Sequence, residues 1–420
     1  MKVPSILYAT GCILILSFSA TLAENWPRFR GPTGQGLSTD KVVPLTWNAT
    51  ENVAWKTEIP GESCSSPIVW EDRVFVTTAT DDGASCRIVA LDRKDGRVLW
   101  KTEVFRQKPG HKQGKNTYAT PTPATDGERV YAVFGDGSFA AVKFDGSVAW
   151  RNRDFKFYGE HGLGASPIIS GELLIMAFDG SSEGPEPKIG WQEPWEKAVL
   201  LALDKRTGQE RWRGARGPSR IAHITPLIIN TSEREELVRC AGDVIQGFNP
   251  ANGERLWSVR SEGEGVVPSP AFGDGMLFTA SGFGQPTIRA VRLGTDGKSA
   301  QPKIVWEQRK GVPSQSSLIY VAPHLFAATD GGIATCFDGA SGKVVWQERV
   351  GGAFSASPVA ADGRIYLLSE QGDTTVIEAG AEFKVLAKNA IGERCQASPA
   401  ISRHQLFIRS EKHVWCIGRE

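Results

Sequence analysis

One eleven-residue pattern recurs along the chain and constrains its fold more than any other feature. Residues 90–100 read ALDRKDGRVLW, which predicts the end of a strand, a tight turn at Asp95-Gly96 and a second strand that carries Trp100. The pattern returns at residues 202–212, 247–257 and 336–346, and a copy one residue shorter occupies 141–150. A repeat with a period of about 40–50 residues indicates a repeat architecture such as a propeller.

A second pattern marks the start of each repeat, where a Ser or Thr precedes Pro at the head of an apolar strand. Proline is tolerated at the first residue of a strand, where its missing N–H costs little. Four strands per repeat, apolar on both faces, predict a sheet packed between two neighbouring sheets, which is a propeller blade. The pattern occurs at Ser66-Pro67, Thr122-Pro123, Ser166-Pro167, Thr225-Pro226, Ser269-Pro270, Ser357-Pro358 and Ser398-Pro399, with Ser317-Leu318 as a degenerate member.

The number of blades follows from the number of fourth-strand positions, most of which carry a Trp. The last repeat, residues 396–416, supplies three strands, and residues 52–58 supply a lone fourth strand. Joining the two completes an eighth blade and removes the edges that an open array would expose. We therefore predict an all-β chain, an eight-bladed β-propeller with four-stranded antiparallel blades, its ring closed by pairing an N-terminal strand with the C-terminal blade. The fourth-strand position is occupied by Trp55, Trp100, Trp150, Trp212, Trp257, Trp306, Trp346 and, in a faded copy, Leu386.

The first residues are predicted to be a secretory signal. An apolar run over residues 6–18 follows Lys2, ends near Ala20 and Ala23, and is too short to span a bilayer with polar flanks. The protein is therefore expected to be exported, to the periplasm or the exterior. A net charge of +1 argues against nucleic acid as the main partner. The predicted segments are a signal peptide at 1–23, an N-terminal arm at 24–46 and the propeller at 47–420.

The pattern Ala-x-Asp-x-x-(Thr/Asp)-Gly-x-x-x-Trp resembles the repeat of the pyrroloquinoline quinone (PQQ) propeller family, and the resemblance covers about residues 47–420. That family includes quinoprotein alcohol dehydrogenases and BamB-type proteins of outer-membrane β-barrel assembly. The preceding residues 26–36, WPRFRGPTGQG, are similar to the lead-in of several members. The resemblance implies either oxidation of an alcohol or sugar by PQQ with Ca²⁺, or a non-catalytic assembly scaffold.

The enzyme interpretation requires carboxylate and amide oxygens for a hard cation and a carboxylate base near the quinone. No cofactor-binding Glu or Asn and no catalytic Asp can be matched residue by residue, and the adjacent cysteines of the dehydrogenases have no counterpart. The repeat's Asp, at Asp92, Asp204 and Asp338, is assigned with the Gly to the turn, and its Trp to the blade junction. No catalytic residue and no metal site are assigned. No cofactor is expected, and PQQ with calcium is the alternative.

Propeller connectivity sorts the loops between two faces. Loops between second and third strands, and links between blades, fall on one face, which we call the long-loop face because nearly all long insertions lie there. Long loops on a rigid scaffold are common sites of binding. The insertions are residues 105–118, 152–164, 179–197 and 214–222.

Three histidines fall on this face, His111, His161 and His223, and the last two directly precede axial strands. His161 and His223 are therefore expected near the channel mouth. All three are candidate contacts of a ligand or metal, or alternatively hydrogen-bond neighbouring loops and stabilise turns. No spacing among them supports a metal site.

Trp191 and Trp195 lie in the insertion 184–195 and are candidate aromatic anchors for a peptide or glycan, or else pin the loop to the propeller. Arg216 and Arg220 give the junction between the third and fourth repeats a basic character suited to an acidic partner. A solvated basic loop is the alternative.

Together these features predict an exported, non-catalytic propeller that acts as an interaction or assembly scaffold through its long-loop face. The expected partners are other envelope or extracellular proteins, or polysaccharide. A PQQ- and Ca²⁺-dependent alcohol or sugar dehydrogenase is one alternative, and a propeller that binds carbohydrate or another small molecule is the second. Cys64 and Cys395 precede the axial strands of the first and last blades, which ring closure makes neighbours, so a disulfide between them is also expected.

Overall fold

The computed structural model describes residues 24–181, 189–190, 193–264, 266–294 and 301–419; the predicted signal peptide, 1–23, lies outside them. The described residues form thirty-two β-strands in eight four-stranded antiparallel sheets. The first strands of neighbouring sheets contact one another about a common axis; the strand Ile68–Trp70, for example, contacts both Ala400–Ser402 and Ala124–Thr125. The predicted eight-bladed β-propeller is therefore confirmed. Within the described part of the chain, no helix has the length and apolar character needed to cross a membrane.

The blades are numbered in chain order, each from its axial strand outward. Blade 1 consists of β2 (Ile68–Trp70), β3 (Arg73–Thr80), β4 (Ser85–Asp92) and β5 (Val98–Arg106), and blade 2 of β6 (Ala124–Thr125), β7 (Arg129–Val133), β8 (Phe139–Lys143) and β9 (Val148–Asn152). Blade 3 consists of β10 (Ile168–Ser170), β11 (Leu173–Phe178), β12 (Val199–Asp204) and β13 (Glu210–Ala215), and blade 4 of β14 (Leu227–Asn230), β15 (Glu235–Cys240), β16 (Val244–Phe248) and β17 (Arg255–Arg260). Blade 5 consists of β18 (Ala271–Gly273), β19 (Met276–Ser281), β20 (Thr287–Arg292) and β21 (Lys303–Gln308), and blade 6 of β22 (Ile319–Val321), β23 (His324–Ala328), β24 (Ile333–Asp338) and β25 (Val344–Arg349). Blade 7 consists of β26 (Val359–Ala361), β27 (Arg364–Leu368), β28 (Asp373–Glu378) and β29 (Val385–Ala390), and blade 8 of β30 (Ala400–Ser402), β31 (Gln405–Arg409), β32 (His413–Ile417) and β1 (Val53–Glu58).

Blade 8 closes the ring because it draws its strands from both ends of the chain. The strand order is β1-β32-β31-β30, and β1 runs antiparallel to β32 with Trp55 opposite Cys416 and Glu58 opposite His413. The edge that β32 would otherwise expose is therefore paired.

The signature Trp of one blade lies against the signature Gly of the next. A Cβ on Gly208 of blade 3 would lie 2.5 Å from the Trp150 ring of blade 2, and Gly208 has a φ of +75°, so both space and backbone require glycine. The indole N–H of Trp150 donates to the carbonyl of Lys205 over 2.9 Å. Equivalent donations into the next blade join Trp55 to Arg93, Trp100 to Phe144, Trp306 to Gly339 and Trp346 to Gly380.

Three junctions depart from this donation. The Trp212 ring packs on Gly253, but its buried indole N–H has no acceptor among the described residues. The indole N–H of Trp257 donates to Glu236 Oε2 of its own blade, over 2.6 Å. Blade 7 carries Leu386 in place of the Trp, and Trp47, which lies before β1, packs into the same core cluster. The Trp47 ring stacks on Tyr366 of blade 7 with 6.4 Å between centroids. A Trp from outside the repeat therefore contributes to the last junction.

The signature Asp closes the turn between third and fourth strands. Asp204 Oδ1 accepts hydrogen bonds from the backbone N–H groups of Arg206 and Thr207, over 2.9 and 3.0 Å. Asp92 accepts from Lys94 over 2.9 Å, and Asp338 from Ser341 over 2.8 Å. The side chain thus satisfies turn donors that have no ladder partner.

The arm that precedes β1 lies across the face opposite the long loops. Trp26 is fully buried and exchanges backbone hydrogen bonds with Val69 of blade 1. The Arg30 guanidinium, also buried, donates to the carbonyl of Leu318 in blade 6 over 2.5 Å. Further contacts reach blades 5 and 7, where Gln35 Oε1 accepts from the N–H of Phe272 and the carbonyl of Gly36 accepts from Ala360. The arm therefore closes one end of the axial channel.

Candidate functional site

The strand-head hydroxyls form a ring around the axis. At seven consecutive junctions the backbone N–H of one head donates to the hydroxyl oxygen of the next, over 2.9–3.3 Å. This bond explains the recurrence of Ser or Thr at the position, and Ser317 keeps it although Leu318 replaces the usual Pro. The ring consists of Ser66, Thr122, Ser166, Thr225, Ser269, Ser317, Ser357 and Ser398.

A second ring lies two residues earlier in each repeat, toward the long-loop face. Side chains alternate along extended backbone, so positions two apart face the same side and both line the channel. The hydroxyl ring hardly varies, whereas the second ring, which we call the upper ring, differs from blade to blade. The upper ring was not predicted from the sequence, although its constant offset from the strand heads is a signal that could have revealed it. The upper ring consists of Cys64, Thr120, Gly164, His223, Val267, Gln315, Ser355 and Gln396.

The two rings enclose a cavity of about 720 Å³. Phe29 of the arm lines it, and the insertion between β5 and β6 reaches over it from the long-loop face. In that insertion, Lys115 Nζ lies 2.9 Å from Glu370 Oε1 of blade 7, so the loop crosses the channel mouth. The cavity is thus a cup, closed by the arm and partly covered by a loop.

The structure brings His161 and His223 together in this cavity. Their ring centroids lie 5.4 Å apart, edge to face at 73°. Burial lowers the pKa of His223 to about 4, with a further contribution from His161, and burial also lowers the pKa of His161. Both imidazoles are therefore neutral at pH 7, and each retains one donor and one acceptor nitrogen. His111 lies farther out, with Nε2 3.5 Å from Glu160 Oε1.

Replacing His223 with Gln is expected to weaken the dependence of stability on pH. Since the folded pKa is about 4 and the ordinary value is 6.5, the unfolded chain binds the extra proton between these values, and the free energy of unfolding falls as the pH is lowered through them. Without the His223 imidazole, the decrease in the free energy of unfolding between pH 7 and 4.5 should be smaller by on the order of 2 kcal/mol. Urea unfolding of wild type, His223→Gln and the control His111→Gln across this range measures it. Parallel curves for wild type and His223→Gln would contradict the prediction.

Arg216 corrects one expectation of the sequence analysis. Its side chain is fully buried, with Nη2 3.4 Å from Asp179 Oδ1, and Asp179 also pairs with Arg239. A side chain enclosed in this way cannot reach a partner, so its expected role in partner binding is wrong. Arg220 stays about one-third exposed, donates to the carbonyl of Gly263 over 3.1 Å and lies 3.9 Å from Glu264.

The aromatic residues of the long-loop face are only partly those expected. Trp195 is half-buried, its backbone N–H donates to Ser219 over 2.9 Å, and Lys197 Nζ lies 5.6 Å from its ring. Trp191 lies outside the described residues. Phe283, between β19 and β20, was missed because no repeat marks it; it is 45% exposed and lines the cavity.

The expected disulfide between Cys64 and Cys395 is wrong, since both thiols are free. Cys64 belongs to the upper ring, but the matching position of blade 8 is Gln396, whose Oε1 lies 3.6 Å from the Cys64 sulfur. Cys395 is one residue off that position, so its side chain leaves the cavity and its sulfur contacts the carbonyl of Glu393. Burial raises the pKa of Cys64 to about 11 and that of Cys395 to about 12.

The cavity does not fit PQQ with Ca²⁺. Calcium takes six to eight oxygen ligands, commonly several carboxylates, whereas among the described lining residues Glu264 alone carries one. Lys115 alone of those residues offers an ammonium to an acidic quinone, and it is paired with Glu370. In the described residues no group of three or more His, Cys, Asp or Glu is placed to hold a metal ion. No redox step is therefore assigned.

Comparison with known proteins relates the chain to two kinds of propeller. The model of a family described as outer membrane protein assembly factor BamB matches residues 38–109, 85–227 and 296–382. Outer membrane protein assembly factor BamB of Yersinia pestis is 23% identical over 265 residues, which are 59% of this chain and 56% of that protein. The 1-butanol dehydrogenase (quinone) of Thauera butanivorans is 28% identical over 199 residues, 43% of this chain and 28% of that enzyme.

The chain therefore spans about half or less of the length of these two relatives. Among solved structures, BamB from Moraxella catarrhalis superposes with a TM-score of 0.60 at 14% identity, covering 87% of this chain and 96% of that one. At this identity the likeness supports the fold alone.

Proposed function

The chain belongs to the PQQ-like propeller family whose model is described as outer membrane protein assembly factor BamB, and on that premise we propose that it is an exported, non-catalytic assembly scaffold of the cell envelope. The proposed partners are proteins that assemble outer-membrane proteins, bound through the long-loop face. The family match over most of the chain carries the proposal. The lack of fit between the cavity and PQQ with Ca²⁺ favours a scaffold over a dehydrogenase.

The difference between the two propeller faces supports binding on the long-loop side. The opposite face carries tight turns and is crossed by the arm, whose Trp26 and Arg30 are buried. The long-loop face instead presents Phe283, which is 45% exposed, the half-buried Trp195 and the partly exposed Arg220. Aromatic and arginine side chains at the centre of an interface dominate its binding energy.

Crosslinking from defined positions tests the proposal in the native host. A photoreactive amino acid at Phe283 or Trp195 should crosslink the chain to outer-membrane assembly proteins, whereas the same group at Lys94, exposed in the β4–β5 turn on the opposite face, should not. Phe283→Ala and Trp195→Ala should each weaken capture about tenfold or more, the loss expected of an aromatic hot spot.

A deletion strain provides the functional readout. Loss of the chain should lower the amounts of β-barrel proteins in the outer membrane, and the wild-type chain, but not the Phe283→Ala/Trp195→Ala double variant, should restore them. Unchanged barrel levels in the deletion strain, or equal crosslinking from Lys94 and Phe283, would refute the assembly role.

A further inference from the structure

We propose that the axial cavity binds a neutral, polyhydroxylated small molecule of the size of a mono- or disaccharide. The inference is independent of the assembly role, because it rests on the two rings and not on the surface of the long loops. A volume of about 720 Å³ falls within the range of small-molecule pockets.

The hydroxyl ring supplies donors that point at a common axis. A hydroxyl has one hydrogen to donate and two lone pairs to accept. The oxygens of Thr122, Ser166 and Ser269 each accept a backbone N–H from the neighbouring blade, over 2.9–3.3 Å. Their hydrogens remain for donation, and the hydroxyls line the cavity. Ser357 differs, because its hydroxyl donates to Ser317 over 2.9 Å. One end of the cavity thus presents at least three hydroxyl donors to the oxygens of a ligand.

The upper ring adds groups that both donate and accept. The Gln315 amide lies 2.8 Å from Ser355 Oγ, whose single hydrogen also faces a carboxylate oxygen of Glu370. The contact fixes the plane of the amide and leaves its other end for a ligand. The Gln396 amide lies two blades farther along the ring, beside Cys64, and its NH₂ faces the carbonyl of Lys115 over 3.4 Å. With neutral His223, the upper ring is a wholly uncharged set. A sugar hydroxyl also donates and accepts, so amides and imidazoles are its natural partners.

The few charges of the lining are already compensated. Lys115 is paired with Glu370 over 2.9 Å, and Glu264 lies 3.9 Å from Arg220. A charged ligand would have to break one of these pairs or remain without a counter-ion, and an uncompensated charge in a cavity is costly. A neutral ligand avoids that cost. Phe29 adds an apolar ring on which the C–H face of a sugar can pack.

Isothermal titration of the chain without residues 1–23 tests this site, with glucose, maltose and trehalose as probes and citrate and PQQ with Ca²⁺ as charged counterparts. At least one neutral sugar should bind one-to-one with a Kd of about 1 mM or tighter. Gln396→Leu, which keeps the shape of the side chain but removes its amide, should weaken that binding about tenfold. The matched Gln209→Leu, exposed in the β12–β13 turn on the opposite face, should leave it unchanged.

Thermal unfolding of each variant shows whether it folds, and Gln315→Leu replaces Gln396→Leu if the latter does not. No saturable binding of any of the three sugars at about 10 mM, ten times the weakest expected Kd, would overturn the proposal. So would tighter binding of citrate or PQQ than of the sugars, or an equal loss in Gln209→Leu. Because barrel levels in the deletion strain are measured separately, failure here leaves the assembly role intact, and the reverse also holds.

Discussion

Trp150→Ala is expected to lower the free energy of unfolding by roughly 3–5 kcal/mol, since the indole fills the junction between blades 2 and 3 and nothing nearby can replace it. The side chain is buried, packs on Gly208 and donates its N–H to the carbonyl of Lys205. The substitution therefore leaves a cavity and also an acceptor without its donor. Urea unfolding measures the loss of unfolding free energy. It is followed by the circular dichroism of the backbone, because the variant alters the tryptophan fluorescence.

A double-mutant cycle isolates the contact itself. Gly208→Ala alone should be strongly destabilising, because the new Cβ would lie 2.5 Å from the Trp150 ring and the backbone has a φ of +75°. In the Trp150→Ala background the clash disappears, so the second substitution should cost only the backbone strain, roughly 1–3 kcal/mol. Strictly additive losses would show that the two residues do not act on each other. As the control, Gly363→Ala has a similar φ of +69° with open space around it, and should cost only the strain.

Thr57→Pro is expected to open the ring, with a loss of roughly 3 kcal/mol or more. The N–H of Ile59 donates to the carbonyl of Lys412, and N–H groups alternate along a strand, so the N–H of Thr57 faces β32 and that of Glu58 faces away. Proline at 57 removes a hydrogen bond of the closing ladder. The freed edge of β32 should then promote association between molecules. Urea unfolding gives the loss, and size-exclusion chromatography gives the oligomers.

Two controls separate closure from side-chain effects. Glu58→Pro introduces proline one residue farther along β1, where the N–H that it removes faces away from β32. It should lower the free energy of unfolding clearly less than Thr57→Pro does. Thr57→Val retains the ladder N–H but removes the hydroxyl that donates to the carbonyl of Gly96 over 2.7 Å. If Glu58→Pro is as damaging as Thr57→Pro, the loss does not come from the closing ladder.

Features that recur from blade to blade could be predicted from the sequence. The Asp-Gly turn, the fourth-strand Trp and the strand-head Ser or Thr each act through local geometry, so eight imperfect copies reinforced one another. Blade number, strand order within a blade and closure of the ring from both termini followed from those copies, and the structure has them. Even the exception at Leu386 was visible in the sequence, although the role of Trp47 at that junction was not.

Residues that occur once, and whose roles depend on distant neighbours, could not be predicted from the sequence. Arg216 reads as a surface cation, yet Asp179, more than thirty residues earlier, encloses it. Cys395 and Gln396 are adjacent, but only Gln396 lies two residues before the strand-head Ser398. For that reason Gln396, and not Cys395, faces Cys64. A one-residue shift along an extended strand turns a side chain to the opposite side.

The sequence by itself determined the architecture of this protein, because periodic turn and packing residues specify a blade locally and the number of blades is a count. Only the tertiary structure decided the content of the axial cavity, since it gathers one unlike residue from each blade across more than three hundred positions. It also decided that the arm closes one end of the channel, with Phe29 in the cavity and Arg30 buried against blade 6. The physical reason is that ring closure brings together residues whose positions in the chain carry no sign of their proximity.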